Sequence, residues 1–232
     1  MRLSIIIPAY NEEKRLRKTL ESYYNFFTEK LKKDFEIIIV PNNCTDNTFK
    51  ISNDFAKGKT NIKVLNIPYF VGKGGAVMGG FEFAVGNLVG FTDADNSTIP
   101  KEFFKLYENV NGYGGIIASR KIKGSIINPP RKLSQNISSF IFNKFVNLFF
   151  NLNYKDTQCG AKIFKKETAE FLVENNTQKH WGFDVDLLYL CKKNGIKILE
   201  FPIKCSDSDD SKLTLKASLK TVLDLIKYRL YN

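Results

Sequence analysis

Short apolar runs alternate with longer segments of helical spacing along the first half of the chain, and that alternation predicts an α/β fold. Residues 3–7, 35–40, 62–67, 88–91 and 115–119 are apolar and rich in β-branched side chains, so each reads as a buried strand. The first two runs stop at prolines, Pro8 and Pro41. Leu16, Leu20, Tyr23, Tyr24, Phe27 and Leu31 recur at helical spacing and would bury one face of a helix that starts near Glu12. Further helices are expected from the Asn42-Asn43-Cys44-Thr45 loop through Phe55, from Gly72 to about Val85, and from Pro100 to Val110. This rhythm implies a Rossmann-like, mainly parallel sheet with helices on both faces. Right-handed crossovers then gather the loops that follow successive strands along one edge.

Two later segments are amphipathic or more apolar still. Between Ser134 and Leu152 apolar residues cover most of the helix circumference, and Asn143, Lys144, Asn147 and Asn151 make a narrow polar stripe. Such a helix is either deeply buried or partly sunk in lipid. The last helix, residues 215–231, sets Leu215, Leu219, Val222, Leu223, Ile226 and Leu230 on one face with Lys216, Lys220 and Lys227 beside it. That pattern suits a helix lying on an anionic membrane surface and equally suits core packing. No run of about 18 apolar residues occurs, so no membrane-spanning helix is expected.

Charge and cysteine content narrow the class. Thirty-five Lys and Arg against 24 Asp and Glu leave a net charge of +11, which calls for an anionic partner. Cys44, Cys159, Cys191 and Cys205 form no C-x-x-C pair, and the one histidine cannot complete a zinc site with them. They read as free thiols of a reducing compartment. Met1-Arg-Leu runs straight into strand pattern, so no signal peptide is expected and the reading is cytoplasmic.

The candidate chemistry sits where strands end. Asp93 and Asp95 follow the run at residues 88–91, and in extended backbone both carboxylates would face one spot. Two like charges so close call for a divalent cation, although a bare Asp-x-Asp is also a common acidic helix-capping loop. Gly72-Lys73-Gly74-Gly75 lets a phosphate approach a helix N-terminus, or makes a tight turn. Its spacing is not that of a Walker A loop, which disfavours a P-loop kinase or ATPase. Glu12 is either a ligand contact or a helix N-terminal acid, and Arg120 either clamps a phosphate or joins an ion pair. No nucleic-acid-reading motif is present, and an acidic focal pair would repel a phosphate backbone, so no nucleic-acid partner is expected.

Taken together and in order, Pro8-Ala-Tyr-Asn-Glu12, Val40-Pro-Asn-Asn-Cys-Thr-Asp46, Gly72-Lys-Gly-Gly-Ala76, Asp93-Ala-Asp95 and Ser119-Arg120 resemble the family 2 glycosyltransferases of the GT-A fold. Asp156-Thr-Gln-Cys-Gly160, Trp181-Gly-Phe-Asp-Val-Asp-Leu-Leu188 and Ser211-Lys-Leu213 are similar to the branch of dolichyl-phosphate β-glucosyltransferase and dolichyl-phosphate mannose synthase, the glucosyl members more closely. The resemblance spans nearly the whole chain. It implies one GT-A domain over residues 1–232, with a nucleotide-sugar half, 1–128, and an acceptor half, 129–232, meeting at Pro129-Pro130.

The activity it implies is inverting, metal-dependent transfer of a hexose from a nucleotide-sugar to a polyprenyl (dolichyl) phosphate, with UDP-glucose favoured over GDP-mannose. Pro8, Ala9, Tyr10, Glu12, Asn42, Lys73, Asp93, Ala94 and Asp95 would hold the donor. Asp93 and Asp95 would bind Mg²⁺ or Mn²⁺. Arg120, Arg131, Ser134 and Lys212 would hold the acceptor phosphate. Asp95, Arg120, Asp156 and Asp184 would be catalytic, and Gln158 and Asp186 would position substrates or tune the site. An ionised phosphate acceptor needs no strong base. The alternative is a sugar hydroxyl acceptor with Asp184 or Asp186 as base. The enzyme would sit peripherally on the cytoplasmic face of a membrane through its interfacial helices. Two departures bear on the donor. Pro41 and Asn42 stand where the family usually has adjacent aspartates, and Ser97 stands where mannose synthases commonly have glutamine.

Overall fold

The computed structural model describes residues 2–130, 133–176 and 182–206. Strand β1 (Leu3–Ala9) has every residue buried, as has β2 (Phe35–Pro41). That pattern follows from a sheet covered on both faces, where no strand residue is offered to water. Alternate residues divide between two cores. Leu3, Ile5, Ile7 and Ala9 of β1 join one cluster, and Ile6 joins the other.

The first core is closed by α1 (Leu16–Leu31) and α4 (Pro100–Asn109), whose Leu20, Tyr23, Phe27, Phe103 and Leu106 pack beneath the sheet. The second is closed by α3 (Gly72–Glu82), α5 (Leu133–Phe150), α6 (Lys166–Asn175) and α7 (Phe183–Lys193). Helix α2 (Thr48–Ala56) packs beside α1 and beside β3 (Ile62–Val64).

The main sheet also contains β4 (Leu88–Phe91), β5 (Gly115–Ser119), β7 (Lys162–Lys165) and β8 (Ile198–Pro202), in the order β3-β2-β1-β4-β7-β5-β8. All neighbours are parallel except β7, which runs against both β4 and β5. A two-stranded sheet joins β6 (Ile126–Ile127) to β9 (Lys204–Cys205). Because β7 is reversed, its first residue, Lys162, lies level with Phe91 of β4 and Ile117 of β5. A lysine is thereby placed at the edge where the parallel strands end.

The expected elements are present with shifted ends. Helix α1 starts at Leu16 instead of near Glu12, because the preceding turn is held from outside. The Glu12 N–H donates to Thr48 Oγ1 at 2.7 Å and the Glu13 N–H to Asp46 Oδ2 at 3.1 Å. Strand β3 ends at Val64, with Ile67 making only an isolated bridge to Asn42, and α3 ends at Glu82.

The asparagines of α5 do not form an outward polar stripe. Asn143 is buried, accepts from Thr157 N–H and hydroxyl at 3.3 and 3.1 Å, and donates to Ser139 O. Asn147 donates to Tyr154 O at 2.7 Å. They fasten the loop that follows the helix. Phe142, Val146 and Phe150 enter the core, while Ile137, Phe140, Ile141 and Leu148 face outward, Leu148 with 84% exposure. No described helix is long and apolar enough to cross a membrane. The helix expected over residues 215–231 lies outside the described residues.

Candidate functional site

The carboxylate turn is suspended from α1. β4 ends at Phe91, and the chain turns at Ala94 and Asp95 before Asn96 takes a left-handed conformation, φ 59°. Thr19 Oγ1 donates to Ala94 O at 2.7 Å, and Tyr23 OH donates to Thr98 O at 2.7 Å while sharing a hydrogen bond with Thr92 Oγ1. Ser97 N–H donates to Asp95 Oδ1 at 2.9 Å. The extended geometry expected for Asp93 and Asp95 is thus replaced by a turn, which still sets the two charges against each other.

Asp93 is seated against Gly160. A Cβ on that residue would fall 1.8 Å from Asp93 Oδ2, so a side chain there would occupy the carboxylate's own space. Asp93 Oδ1 is 2.6 Å from Lys73 Nζ. Burial pushes the Asp93 carboxyl above its usual range; Lys73 opposes this, and the nearby charges of Asp95 and Asp184 reinforce it. For Lys73, burial alone would lower the pKa, but Asp93, Asp184 and Asp95 together raise it.

Below this pair lies a second one. Lys162, wholly buried, binds the Asp184 carboxylate and donates to Cys159 O at 2.8 Å. The Phe91 ring is shared, with Lys73 5.7 Å and Lys162 5.4 Å from its centroid, and Phe183 packs on Phe91 at 5.6 Å. Asp184 lies in the first turn of α7, where it faces a buried ammonium group. Asp186 is also buried and accepts from Asn176 Nδ2 at 2.8 Å.

The nucleotide-side residues meet at the ends of β1 and β2. Ala9 O accepts from Asn42 N at 2.9 Å and from Asn42 Nδ2 at 3.3 Å. Asn42 is 2% exposed, and its Oδ1 is buried without a hydrogen-bond partner among the described residues. Tyr10 is exposed and meets Phe70 edge to face at 5.7 Å. Glu12 pairs with Arg15 at 2.7 Å. Pro8 lies in β1 opposite Val40.

At the end of β5, Arg120 and Asp156 form a bidentate pair, Nε to Oδ2 at 2.6 Å and Nη2 to Oδ1 at 2.8 Å, with Arg120 N–H adding a third bond at 3.0 Å. Asp156 is fully buried. Burial alone would raise its carboxyl, yet Arg120 holds it down at about 2. Glu200 Oε1 accepts from Asp156 N at 2.8 Å, fixing that backbone from β8. Arg120 therefore spends one edge of its fork on Asp156. Gln158 sits between that pair and Gly160 in the chain.

Arg131, Lys212 and Trp181 lie outside the described residues, and so does the side chain of Ser134. The chain from Ser206, whose N–H donates to Ser97 O at 3.0 Å, sets out beside the carboxylate turn. Lys162 is the site residue that sequence reasoning missed. Its signal is a lone charge inside the apolar run Ala161-Lys-Ile-Phe164.

The residues present fit a divalent ion of the Mg²⁺ type. Among the described residues no group of three or more His, Cys, Asp or Glu side chains is placed to hold a metal. Mg²⁺ characteristically takes one or two carboxylates and completes its shell with substrate phosphate and water, which is what Asp93 and Asp95 offer. Asp95 lies close enough to Asp93 for their charges to act on each other, and Asp93 and Asp184 are each paired with a lysine. Helix α3 begins at Gly72, φ 71°, and turns its free N–H groups toward the same edge.

The sequence model of the family described as Glycosyl transferase family 2 matches residues 4–172. A dolichyl-phosphate beta-glucosyltransferase of Dictyostelium discoideum is 34% identical, covering 98% of this chain and 73% of that protein. Its namesake from Saccharomyces cerevisiae is 30% identical, covering 98% of this chain and 74% of that protein. Among solved structures, glucosyl-3-phosphoglycerate synthase from Mycobacterium tuberculosis in complex with Mn²⁺, UDP and phosphoglyceric acid superposes with a TM-score of 0.71. It is 16% identical, and the match covers 98% of this chain and 78% of that one. Mannosyl-3-phosphoglycerate synthase from Rubrobacter xylanophilus gives 0.73 at 15% identity, covering 100% of this chain and 74% of that one.

Proposed function

Since this chain belongs to glycosyl transferase family 2 and folds as a GT-A glycosyltransferase, we propose that it moves glucose from UDP-glucose to a polyprenyl phosphate of the dolichyl type, inverting the anomeric carbon. The observation that carries the acceptor choice is the pairing of Asp184 with buried Lys162. Both alternative bases are buried and engaged, Asp184 by the Lys162 ammonium group and Asp186 by Asn176, so neither is offered to an incoming hydroxyl. A sugar hydroxyl would lack its base. A phosphate oxygen is ionised near neutrality and attacks without one.

In this reading the donor diphosphate lies over the start of α3, held by backbone N–H groups and by Lys73. Asp93 and Asp95 would hold Mg²⁺ or Mn²⁺, which would supply charge stabilisation for the leaving nucleoside diphosphate. Arg120, stiffened by Asp156, presents its remaining edge to phosphate at the acceptor side, where Arg131, Ser134 and Lys212 are also assigned. The donor base is assigned to Asn42. Its Nδ2 donates to Ala9 O, and its Oδ1, buried without a donor among the described residues, is the atom that would accept the N3–H of uracil once the base displaces what covers it. Guanine, with two adjacent donors, suits a carboxylate better.

Incubating the protein with radiolabelled UDP-glucose or GDP-mannose, with and without polyprenyl phosphate, tests donor and acceptor together. Label should pass to the lipid from UDP-glucose, and in smaller amount, if at all, from GDP-mannose. One neutral hydrogen bond contributes about 0.5–1.5 kcal/mol, so Asn42 alone supplies a preference of roughly tenfold or less. Transfer that proceeds only to a free sugar hydroxyl would refute the acceptor. GDP-mannose outperforming UDP-glucose would refute the donor.

The outward face of α5 is the proposed membrane contact. Ile137, Phe140, Ile141 and Leu148 are exposed apolar side chains on the same helix as Ser134, and a protein of charge +11 is drawn to anionic lipid. Phe140→Ser combined with Leu148→Asn should reduce co-sedimentation with vesicles of anionic phospholipid while leaving UDP binding intact. Sedimentation equal to wild type would remove the membrane role from this face.

A further inference from the structure

We propose that Lys73 is an exchangeable counter-ion: without donor it occupies Asp93, and it surrenders that carboxylate to the divalent cation when the donor diphosphate arrives to take its ammonium group. This rests on the metal reading of Asp93 and Asp95 above and assigns the timing of metal entry to a lysine.

The two lysines of the cluster are held differently. Lys162 is fully buried and donates both to Asp184 and to Cys159 O, so it is fixed. The Lys73 side chain is 22% exposed, and Asp93 is its one ion-pair partner among the described residues. Its other contacts are the faces of Phe91 and Phe183, at 5.7 and 5.9 Å, which guide an ammonium group without fixing it.

Asp93 is already engaged, although its side chain is 34% exposed. Oδ1 is 2.6 Å from Lys73 Nζ, and Oδ2 lies against the bare Cα of Gly160. A divalent cation arriving alone therefore shares a carboxylate with an ammonium group in a partly desolvated cleft, where like charges repel strongly. A diphosphate changes the balance. Lys73 is the second residue of α3, so an anion seated at that helix start lies within its reach. Once Lys73 pairs with phosphate, Asp93 is released to the cation, which the same phosphates help to coordinate. Metal binding thus becomes conditional on donor.

Titration with Mn²⁺, read by electron paramagnetic resonance, tests this on wild type, Lys73→Met and Lys73→Arg, each with and without UDP. Without UDP, Lys73→Met should bind Mn²⁺ at least about tenfold more tightly than wild type, since one neighbouring positive charge has gone. Lys73→Arg, which keeps the charge, should bind as weakly as wild type. UDP should tighten Mn²⁺ binding by a larger factor in wild type than in Lys73→Met. Adding Asp93→Asn to Lys73→Met should abolish the gain, and a tight site that survives it would overturn the proposal. Equal UDP-free affinities for Lys73→Met and wild type, in a protein that binds Mn²⁺ with UDP, would also overturn it. Wild type that binds no Mn²⁺ even with UDP would refute the metal reading itself, a separate result. Lys73→Gln repeats the comparison should the methionine variant fail to fold.

Discussion

Asp95→Ala is expected to lower sugar transfer at least about a hundredfold and to leave the fold intact. Asp95 is partly exposed, and its described hydrogen bond is accepted from Ser97 N–H within the same turn. That bond is worth roughly 1 kcal/mol, a shift of a few degrees in melting temperature. The turn remains hung from Thr19 and Tyr23. The role proposed for Asp95 in charge stabilisation would be much larger: electrostatic help to a leaving diphosphate is worth several kcal/mol, and each 1.4 kcal/mol is about tenfold in rate. Rates and thermal melts of the variant in Mg²⁺ and in Mn²⁺ separate the two effects. Activity above a tenth of wild type in either metal would remove Asp95 from the site.

The second large effect is on stability. Arg120→Ala should destabilise the protein by about 3–5 kcal/mol, because it strands Asp156 as a buried carboxylate. The pH dependence gives this loss a signature. In wild type the folded-state pKa of Asp156, about 2, lies below its unfolded value, so the pair contributes full stability above the ordinary carboxylate range. That contribution fades as pH falls from the ordinary carboxylate range through about 2. Without Arg120, burial dominates and raises the pKa above the unfolded value, so ionised Asp156 is a penalty at neutral pH that protonation relieves. The deficit of the variant should therefore shrink between pH 7 and pH 4. Urea unfolding at those pH values reads it, and a deficit that grew on acidification would contradict the assignment.

The strands at residues 88–91 and 115–119 were legible to the residue, because a strand covered on both faces is a closed apolar run between turn residues. Helix ends were less so. Glu12 looks like a helix acid, and only the distant Thr48 and Asp46 reveal that its turn is held outside the helix. The polar side of α5 was visible, but its direction was not, since Asn143 and Asn147 answer to Thr157 and Tyr154 in a later loop. The Asp93–Asp95 pair was found through its spacing, although the backbone achieves the pairing by a turn. Lys162 escaped because a buried lysine makes sense only beside Asp184, and α7 comes to it from another part of the chain.

The reversed strand β7 carries a consequence for how the chain is assembled during synthesis. β1 to β4 can pair as they emerge, but β4 has an open edge until Lys162–Lys165 has been made. β5 emerges earlier than β7 and finds its neighbours only in β7 and β8. A nascent chain that pauses after Ser119 therefore displays three unsatisfied strand edges, one on β4 and two on β5, the kind of surface that recruits stray strands or chaperones. Insertion of four residues then joins β4 to β5 and, in the same event, brings Gly160 up to Asp93. The strand that unites the sheet is also the one that gives the carboxylate turn its far wall.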